Sequence, residues 1–265
     1  MRKYPAFIAL VAALLGACSN KALRTAPAVA SKPKTFVIVH GAWGGGWAFR
    51  EVQALLEARG YKVYRPTLTG QGERVHLAGK DVGLDTHIND VVNTILFEEL
   101  KDVILVGHSY GGMVVTGVAD RASDRIARLI YLDAMVPYDG ESAATMGSED
   151  GKEPEWIRNS KDGFLTPEWI KADQPYPRDV PHPVKTLRDV ISLKNPQRLS
   201  IRTDYILTVD EGKKPEDDDF YDASVRAKKA GWPVHYLEAD HNPQWSKPKE
   251  LVELLDNIAQ STGDL

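Results

Sequence analysis

The chain alternates short, uninterrupted apolar runs with longer segments whose apolar residues recur at helical spacing. The run Phe36–His40 is continuous, which is typical of a strand buried on both faces of a parallel sheet. The predicted strands are 36–40, 61–64, 103–106, 129–132, 205–209 and 234–237, and the predicted helices are 47–59, 87–100, 113–122, 184–193, 220–230 and 249–259. This alternation predicts an α/β fold, with a mostly parallel sheet covered by helices on both faces.

Residues 137–200 interrupt the alternation after the predicted strand that ends at Leu132. The part 137–182 is rich in proline and charge and has no period, which fits either a lid or a disordered segment. Four aromatic residues favour a lid, because disordered segments are usually poor in them: Trp156, Phe164, Trp169 and Tyr176. We therefore expect a lid of about residues 137–200 within a domain 35–265.

The N-terminal segment has the three parts of an export signal. Two cations, Arg2 and Lys3, precede an uncharged run 6–15, which small residues follow. The run is about ten residues long, too short to span a bilayer as a helix. The single cysteine, Cys18, excludes an intrachain disulfide. We expect residues 1–17 to be a signal peptide.

The four residues Leu15-Gly16-Ala17-Cys18 resemble a bacterial lipobox, after which the cysteine is acylated. The resemblance implies a lipidated Cys18, a flexible tether over 18–34 and a membrane anchor in the bacterial cell envelope. Because no acidic residue directly follows Cys18, where Ser19 and Asn20 stand, the resemblance favours the outer membrane, on its periplasmic side or at the surface. A plain secretory signal with an incidental cysteine is the alternative.

The pentapeptide Gly107-His108-Ser109-Tyr110-Gly111 follows a predicted strand and precedes a predicted helix. This is the G-x-S-x-G nucleophile elbow in its required context. Its turn is so sharp that side chains at the flanking positions would collide with the adjacent elements. We predict Ser109 as a catalytic nucleophile.

A serine hydroxyl needs a base, which an acid orients, and in this arrangement the chain order is serine, acid, histidine. Three histidines follow Ser109. His182 lies in the lid and His235 inside a strand, where a paired side chain is the simpler interpretation. His241 follows the last strand, in a loop of the kind that holds sites in such sheets. We predict His241 as the base.

The acid is open among three residues. Asp210 and Glu211 follow the strand 205–209, and Asp133 follows the strand 129–132. We prefer Asp210, because it leaves its strand directly and begins an Asp-x-Gly turn. Asp240, beside His241, is expected to point elsewhere.

Backbone N–H groups must stabilise the oxyanion that forms when serine attacks a carbonyl. Tyr110, directly after the nucleophile, should supply one. The glycine-rich loop 40–47 should supply the other, and we prefer Ala42. The loop lacks the motifs of a phosphate-binding loop.

Five segments together resemble the α/β-hydrolase family: HGAWGGGW (40–47), RPTLTGQGER (65–74), VGHSYGGMV (106–114), LIYLDAMVPYDGES (129–142) and ADHNP (239–243). The most similar branch holds bacterial carboxylesterases, plant methylesterases and hydroxynitrile lyases, and the resemblance covers 35–260. It implies a Ser-His-Asp esterase without metal or cofactor. The lyases carry threonine where Gly41 stands and lysine where Asn242 stands, so lyase activity is not expected.

The resulting hypothesis is a serine carboxylesterase that hydrolyses small to medium apolar or aromatic esters through an acyl-enzyme. A lactone or amide hydrolase with the same triad is one alternative, and a non-catalytic binding lipoprotein on this scaffold is another. The 33 basic and 37 acidic residues argue against a nucleic-acid partner. The sequence leaves the oligomeric state open.

Overall fold

The computed structural model describes residues 33–146, 148 and 151–261. The predicted signal peptide, Cys18 and the tether up to residue 32 lie outside these residues. The strands are β1 (Thr35–Val39), β2 (Lys62–Tyr64), β3 (Val103–Ser109), β4 (Ile126–Ala134), β5 (Phe164–Leu165), β6 (His182–Pro183), β7 (Arg202–Val209) and β8 (Val234–Glu238). Six of them form one sheet in the order β2-β1-β3-β4-β7-β8, in which all pairings are parallel. The remaining two, β5 and β6, pair antiparallel.

Helices cover both faces of the large sheet. They are α1 (Arg50–Glu57), α2 (Leu84–Phe97), α3 (Gly111–Arg121), α4 (Glu155–Arg158), α5 (Lys185–Arg188), α6 (Tyr221–Lys229), α7 (Pro243–Ser246) and α8 (Pro248–Gln260). Successive residues of β1 point to opposite faces. Phe36 and Ile38 pack in a core with residues of α1 and α8, whereas Val37 and Val39 pack in a second core with residues of α2, α3 and α6. The predicted α/β architecture is confirmed.

The end of β4 lies further along the chain than the sequence predicts. The strand continues to Ala134, two residues beyond the predicted end at Leu132. The Tyr205 hydroxyl of β7 fixes this end, because it accepts a hydrogen bond from the Ala134 N–H (3.1 Å) and donates one to the Ala134 carbonyl (3.0 Å). As a result Asp133 lies within the strand rather than in a loop.

The segment between β4 and β7 contains α4, β5, β6 and α5, at the place where the lid is predicted. Its apolar residues belong to the same core as one face of the large sheet: Ile157, Leu165, Leu187 and Ile191. The predicted helix 184–193 is shorter, because the backbone becomes extended at Asp189, where the carboxylate accepts from the Leu84 N–H. Within the described residues, no helix has the length and apolar character needed to cross a membrane.

Candidate active site

Ser109 occupies the sharp turn between β3 and α3. Its φ is +56°, a left-handed conformation that non-glycine residues rarely adopt. The turn closes because two neighbours lack a side chain. A Cβ at Gly111 would lie 2.8 Å from the carbonyl oxygens of Val39 and His40, and one at Gly107 would lie 2.5 Å from Val115. The local sequence therefore presents the Ser109 hydroxyl at the carboxyl edge of the sheet.

His241 links Ser109 to a buried carboxylate. Its Nε2 lies 3.0 Å from Ser109 Oγ, and its Nδ1 lies 2.6 Å from Asp133 Oδ2. A carboxylate can only accept, so Nδ1–H donates to Asp133 and Nε2 is left to accept from the Ser109 hydroxyl. The three residues come from the ends of β3 and β4 and from the loop after β8. The parallel sheet places all three at one edge.

Asp133 is held rigidly in this position. The residue is fully buried, and its φ is +44°. Its second oxygen, Oδ1, accepts a hydrogen bond from the Thr208 N–H of β7 at 3.1 Å. Because one oxygen is committed to β7, the other is directed at His241.

The preference for Asp210 as the acid is corrected by the structure. The Asp210 side chain is 45% exposed, and its carboxylate accepts from Lys213 Nζ at 2.8 Å. The chain turns away after β7 through Gly212, whose φ is +78°. The alternative Glu211 is exposed as well. Asp133, the third alternative, contacts His241 instead.

The other polar neighbours have local structural partners. The carboxylate of Asp240 accepts from the Asn242 N–H and the Ser246 hydroxyl, so it points away from the His241 ring, as expected. His235 lies 3.0 Å from Asp204, which also pairs with Arg128 in the core, in keeping with a paired side chain. His182 is fully buried in the lid and does not contact Ser109.

Ala42 and Tyr110 both line the cavity beside Ser109. Neither backbone N–H donates a hydrogen bond to another described residue, so both remain available to a ligand. Gly41 permits this approach of the loop, because a Cβ there would lie 2.9 Å from the Cβ of Ser109. Any side chain at this position would therefore crowd Ser109.

Two residues that support His241 were not singled out from the sequence. The buried His108 ring donates from Nε2 to the His241 carbonyl at 2.7 Å. Burial, with the neighbouring His241, lowers the pKa of His108 to about 3, which keeps the ring neutral. Phe220 stacks face to face on the His241 ring at 4.9 Å. His108 lies inside the elbow motif, but nothing in the sequence around Phe220 indicates its contact.

Ser109 opens onto a cavity of about 760 Å³. One part of its wall is apolar: Met135, Met146, Trp156, Leu187 and Ala223. Three carboxylates lie on another part, namely Asp218, Asp219 and Asp222. Arg226 also lines it, but its guanidinium is paired with Glu141. A second cavity of about 380 Å³ shares Ser109 and His241, and its aromatic wall consists of Trp43, which also lines the larger cavity, Phe49, Trp169 and Trp245. The described residues contain no group of three or more His, Cys, Asp or Glu placed to hold a metal ion.

Asp218 is the carboxylate of this wall whose ionisation is most affected. Partial burial and the negative charge of Asp133 raise the pKa of Asp218 to about 6, against a smaller opposite effect of the hydrogen bond from the Phe220 N–H. The cavity wall therefore carries negative charge at neutral pH and loses part of it in mild acid.

Comparisons with known proteins show the family to which the chain belongs. A model of the alpha/beta hydrolase family matches residues 36–254. The chain is 39% identical over 236 residues to a carbendazim hydrolyzing esterase of Nocardioides sp., covering 83% of this chain and 97% of that protein. It is 30% identical over 254 residues to the pFDCC methylesterase MES16 of Arabidopsis thaliana, covering 83% and 92%.

Among solved structures, the chain is similar to an extracellular alpha/beta-hydrolase from a Paenibacillus species. The TM-score is 0.71 at 26% identity, and the match covers 86% of this chain and all of that one. Fold, site geometry and relatives point the same way. The chain belongs to the alpha/beta hydrolase family and is an ester-bond hydrolase.

Proposed function

We propose that the chain is a serine carboxylesterase that hydrolyses small to medium apolar or aromatic esters through an acyl-enzyme. The observation that carries this proposal is the continuous hydrogen-bond path from Ser109 Oγ through His241 to the buried Asp133. A hydroxyl with a base in contact, and that base fixed by a carboxylate, is the arrangement that activates serine as a nucleophile.

In the first half-reaction Ser109 Oγ attacks the ester carbonyl carbon while its proton passes to His241 Nε2. Asp133 stabilises the imidazolium that forms. The backbone N–H groups of Ala42 and Tyr110 are available to donate to the tetrahedral oxyanion. Collapse of this intermediate breaks the bond to the alkoxy oxygen, and Nε2–H protonates the departing alcohol.

In the second half-reaction water attacks the acyl-serine, with His241 as the base. The proton taken from water returns to Ser109 Oγ as the carboxylic acid leaves. Net, one water is consumed and one ester bond is broken. The residues of this chain supply every proton transfer, so the proposal requires no cofactor.

The walls of the two cavities support the proposed substrate class. The larger one offers methionine, leucine and tryptophan side chains and the smaller one four tryptophan and phenylalanine rings, which favours apolar or aromatic groups. One relative is named for hydrolysing carbendazim and another, matched over part of its length, is named a pyrethroid hydrolase. Lactones and amides present the same carbonyl to Ser109, so a panel of esters, lactones and amides ranks these alternatives.

Replacement of the nucleophile tests the proposal. We expect Ser109→Ala to lower hydrolysis of a short p-nitrophenyl ester by at least about 10⁴-fold, because the residues of a triad act as a unit. A fluorophosphonate probe should label the wild type and not this variant. The exposed Ser200 provides the control, since Ser200→Ala should keep full activity and labelling. Turnover that persists in Ser109→Ala would refute the assignment, and a wild type that is neither active nor labelled would indicate a binding protein.

We further propose that Cys18 is acylated and anchors the domain to a membrane of the bacterial envelope, the outer membrane being preferred. The lipobox-like residues 15–18 and the signal-like segment before them support this. Several acyl chains hold a protein at a membrane far more firmly than one. Cells fed a labelled fatty acid should incorporate it into the wild type but not into Cys18→Ser. Equal labelling of both would exclude the anchor.

A further inference from the structure

We propose that Trp43 is a positioning residue for the Ala42 amide, and that the lid holds Trp43 in place. This inference rests on the proposed function, because the direction of the Ala42 N–H matters only if an oxyanion forms beside Ser109. It adds a role for the lid besides covering the cavity, and a role for the buried His182, which the mechanism above does not use.

The backbone at Trp43 adopts a costly conformation. Its φ is +65°, and the Gly44 N–H donates across it to the Ala42 carbonyl at 2.8 Å. A bond between residues two apart, with a positive φ at the centre, is a γ-turn of the rare, strained kind. Such a conformation costs on the order of 1–3 kcal/mol and persists only where the surroundings impose it. The turn directly follows Ala42.

The surroundings that impose it are segments of the lid. Each polar group of Trp43 forms a hydrogen bond with a lid residue. Its N–H donates to His182 Nδ1 (3.3 Å), its carbonyl accepts from the Val180 N–H (2.9 Å), and its indole Nε1–H donates to the Leu165 carbonyl (3.1 Å). The indole ring also meets Trp169 edge to face at 5.5 Å. Three separate lid residues, Leu165, Val180 and His182, thus form hydrogen bonds with Trp43.

Hydrogen bonds inside the lid prepare His182 to accept from Trp43. The Thr186 hydroxyl donates to the Pro183 carbonyl at 2.7 Å, so it accepts from His182 Nε2–H at 2.6 Å. With its proton on Nε2, the neutral ring presents a lone pair on Nδ1. Burial, together with His87 and His40 nearby, lowers the pKa of His182, which keeps it in this form. Gln71 Oε1 lies 3.1 Å from Nδ1 but forms no hydrogen bond with it in this tautomer, because both atoms are acceptors. The Gln71 amide N–H donates to the Pro181 carbonyl at 3.3 Å, directly before His182, which ties this part of the lid to the loop after β2.

The expected consequence is a selective effect on the rate of reaction. If a lid bond to Trp43 is removed, the γ-turn relaxes and the Ala42 N–H moves off the oxyanion. Complete removal of one such donor typically costs 10²–10³-fold in kcat, and a donor that is only displaced should cost less. Ground-state binding depends mainly on the cavity walls, to which His182 does not contribute. KM should therefore change little.

His182→Leu and His182→Asn test this inference. Leucine offers no acceptor to Trp43, whereas the Asn amide oxygen can occupy the place of Nδ1. For a short p-nitrophenyl ester we expect His182→Leu to lower kcat by about 10–100-fold with KM within threefold, and His182→Asn to recover most of that loss. Equal kcat in the two variants, or a change in KM alone, would overturn the proposal. The wild-type assay is the separate test of the esterase assignment.

A second pair of variants keeps the test decisive if His182→Leu does not fold. Trp43→Phe removes the indole N–H that bonds to Leu165, whereas Trp47→Phe removes an indole N–H of the same loop that has no partner among the described residues. We expect Trp43→Phe to lower kcat by about tenfold and Trp47→Phe to stay within twofold. Equal effects on kcat, in either direction, would overturn the proposal.

Discussion

The neighbouring strands β4 and β7 each bring an aspartate to the same edge of the sheet, but the two carboxylates have different environments. Asp133 is fully buried, with one oxygen bonded to Thr208 N–H and the other to His241. Asp210 is 45% exposed and pairs with Lys213. A position at this edge of the sheet is therefore not sufficient to make an aspartate the acid that orients His241. The carboxylate that orients His241 is the one whose second oxygen is held by a backbone N–H of the neighbouring strand.

The segment after β7 differs from β4 in a second way. It carries several further carboxylates, of which Asp218 and Asp219 line the larger cavity without a contact to the His241 ring among the described hydrogen bonds. Asp133 acts through one short hydrogen bond, whereas we expect Asp218 and Asp219 to act on a ligand through their charge. The comparison therefore separates an acid that orients His241 through a direct hydrogen bond from acids whose negative charge is expected to affect substrates in the cavity.

The largest effect is expected at Asp133. An Asn there would keep its carbonyl oxygen toward the Thr208 N–H and turn its amide toward His241, which forces the proton onto Nε2 and prevents that atom from accepting from Ser109. We expect Asp133→Asn to lower kcat/KM for a short ester by roughly 10⁴-fold.

Asp210→Asn is the matched control, because it loses only an exposed ion pair of at most about 1 kcal/mol. Its kcat/KM should stay within twofold of the wild type. The reverse ranking of the two variants in the same assay would restore Asp210 as the acid.

The second prediction concerns rigidity at the two strand ends. A Cβ at Gly112 would lie 2.0 Å from the carbonyl oxygen of Met135, just beyond β4, whereas a Cβ at Gly212, after β7, meets nothing within 4 Å. Gly112→Ala should lower the free energy of unfolding by about 2–3 kcal/mol or more. Gly212→Ala should cost only about 1 kcal/mol, for its positive φ. Denaturant unfolding measures both, and equal losses would mean that the β4 end is not the more tightly packed.

The smallest effect is expected from the charges on the cavity wall. The anionic monomethyl ester of a dicarboxylic acid should be hydrolysed about tenfold less efficiently than the neutral methyl ester of equal chain length at low salt, which corresponds to about 1.4 kcal/mol of repulsion. Methanol release reports kcat/KM for each. Asp218→Asn should weaken the discrimination, and high salt should abolish it.

This discrimination should also depend on pH. Because the pKa of Asp218 is raised to about 6, its charge is present above that pH and is lost as the pH falls through it. The preference for the neutral ester should therefore shrink between pH 7 and pH 5.5, while the anionic substrate stays ionised. A preference that is constant over this range, or unchanged in Asp218→Asn, would show that this carboxylate does not act on the substrate.

The sequence suffices for the elbow and the histidine, but not for the acid. Gly107 and Gly111 frame Ser109 between an apolar run and a helix, and His241 is the single histidine in the loop after the last strand. These are local signals. The acid depends instead on contacts between distant segments: the Tyr205 hydroxyl that extends β4, and the Thr208 N–H that fixes Asp133. No residue pattern near Asp133 or Asp210 encodes them.

The lid shows the same limit. Its position and aromatic content follow from the sequence. Its hydrogen bonds to Trp43 depend instead on the Leu165 carbonyl, the Val180 N–H and the His182 ring, which belong to separate segments, and two of these three groups are backbone atoms. Any residue type could supply such groups, so composition does not indicate them. The short antiparallel strands β5 and β6 could not be predicted from the sequence either, because two residues are too few to show an apolar pattern.

The uniform strand direction of the large sheet has a practical consequence for attachment. Thr35, where the chain enters the sheet, pairs with Val103 at the start of β3, and Ser109 ends that same strand. The entry edge and the reacting hydroxyl are thus on the order of 20 Å apart, at opposite ends of one strand. The proposed lipid on Cys18, like a fusion partner or a solid support joined ahead of Pro33, would therefore connect to the domain at the edge far from its catalytic serine. The topology therefore favours immobilisation of the enzyme through its N-terminal side.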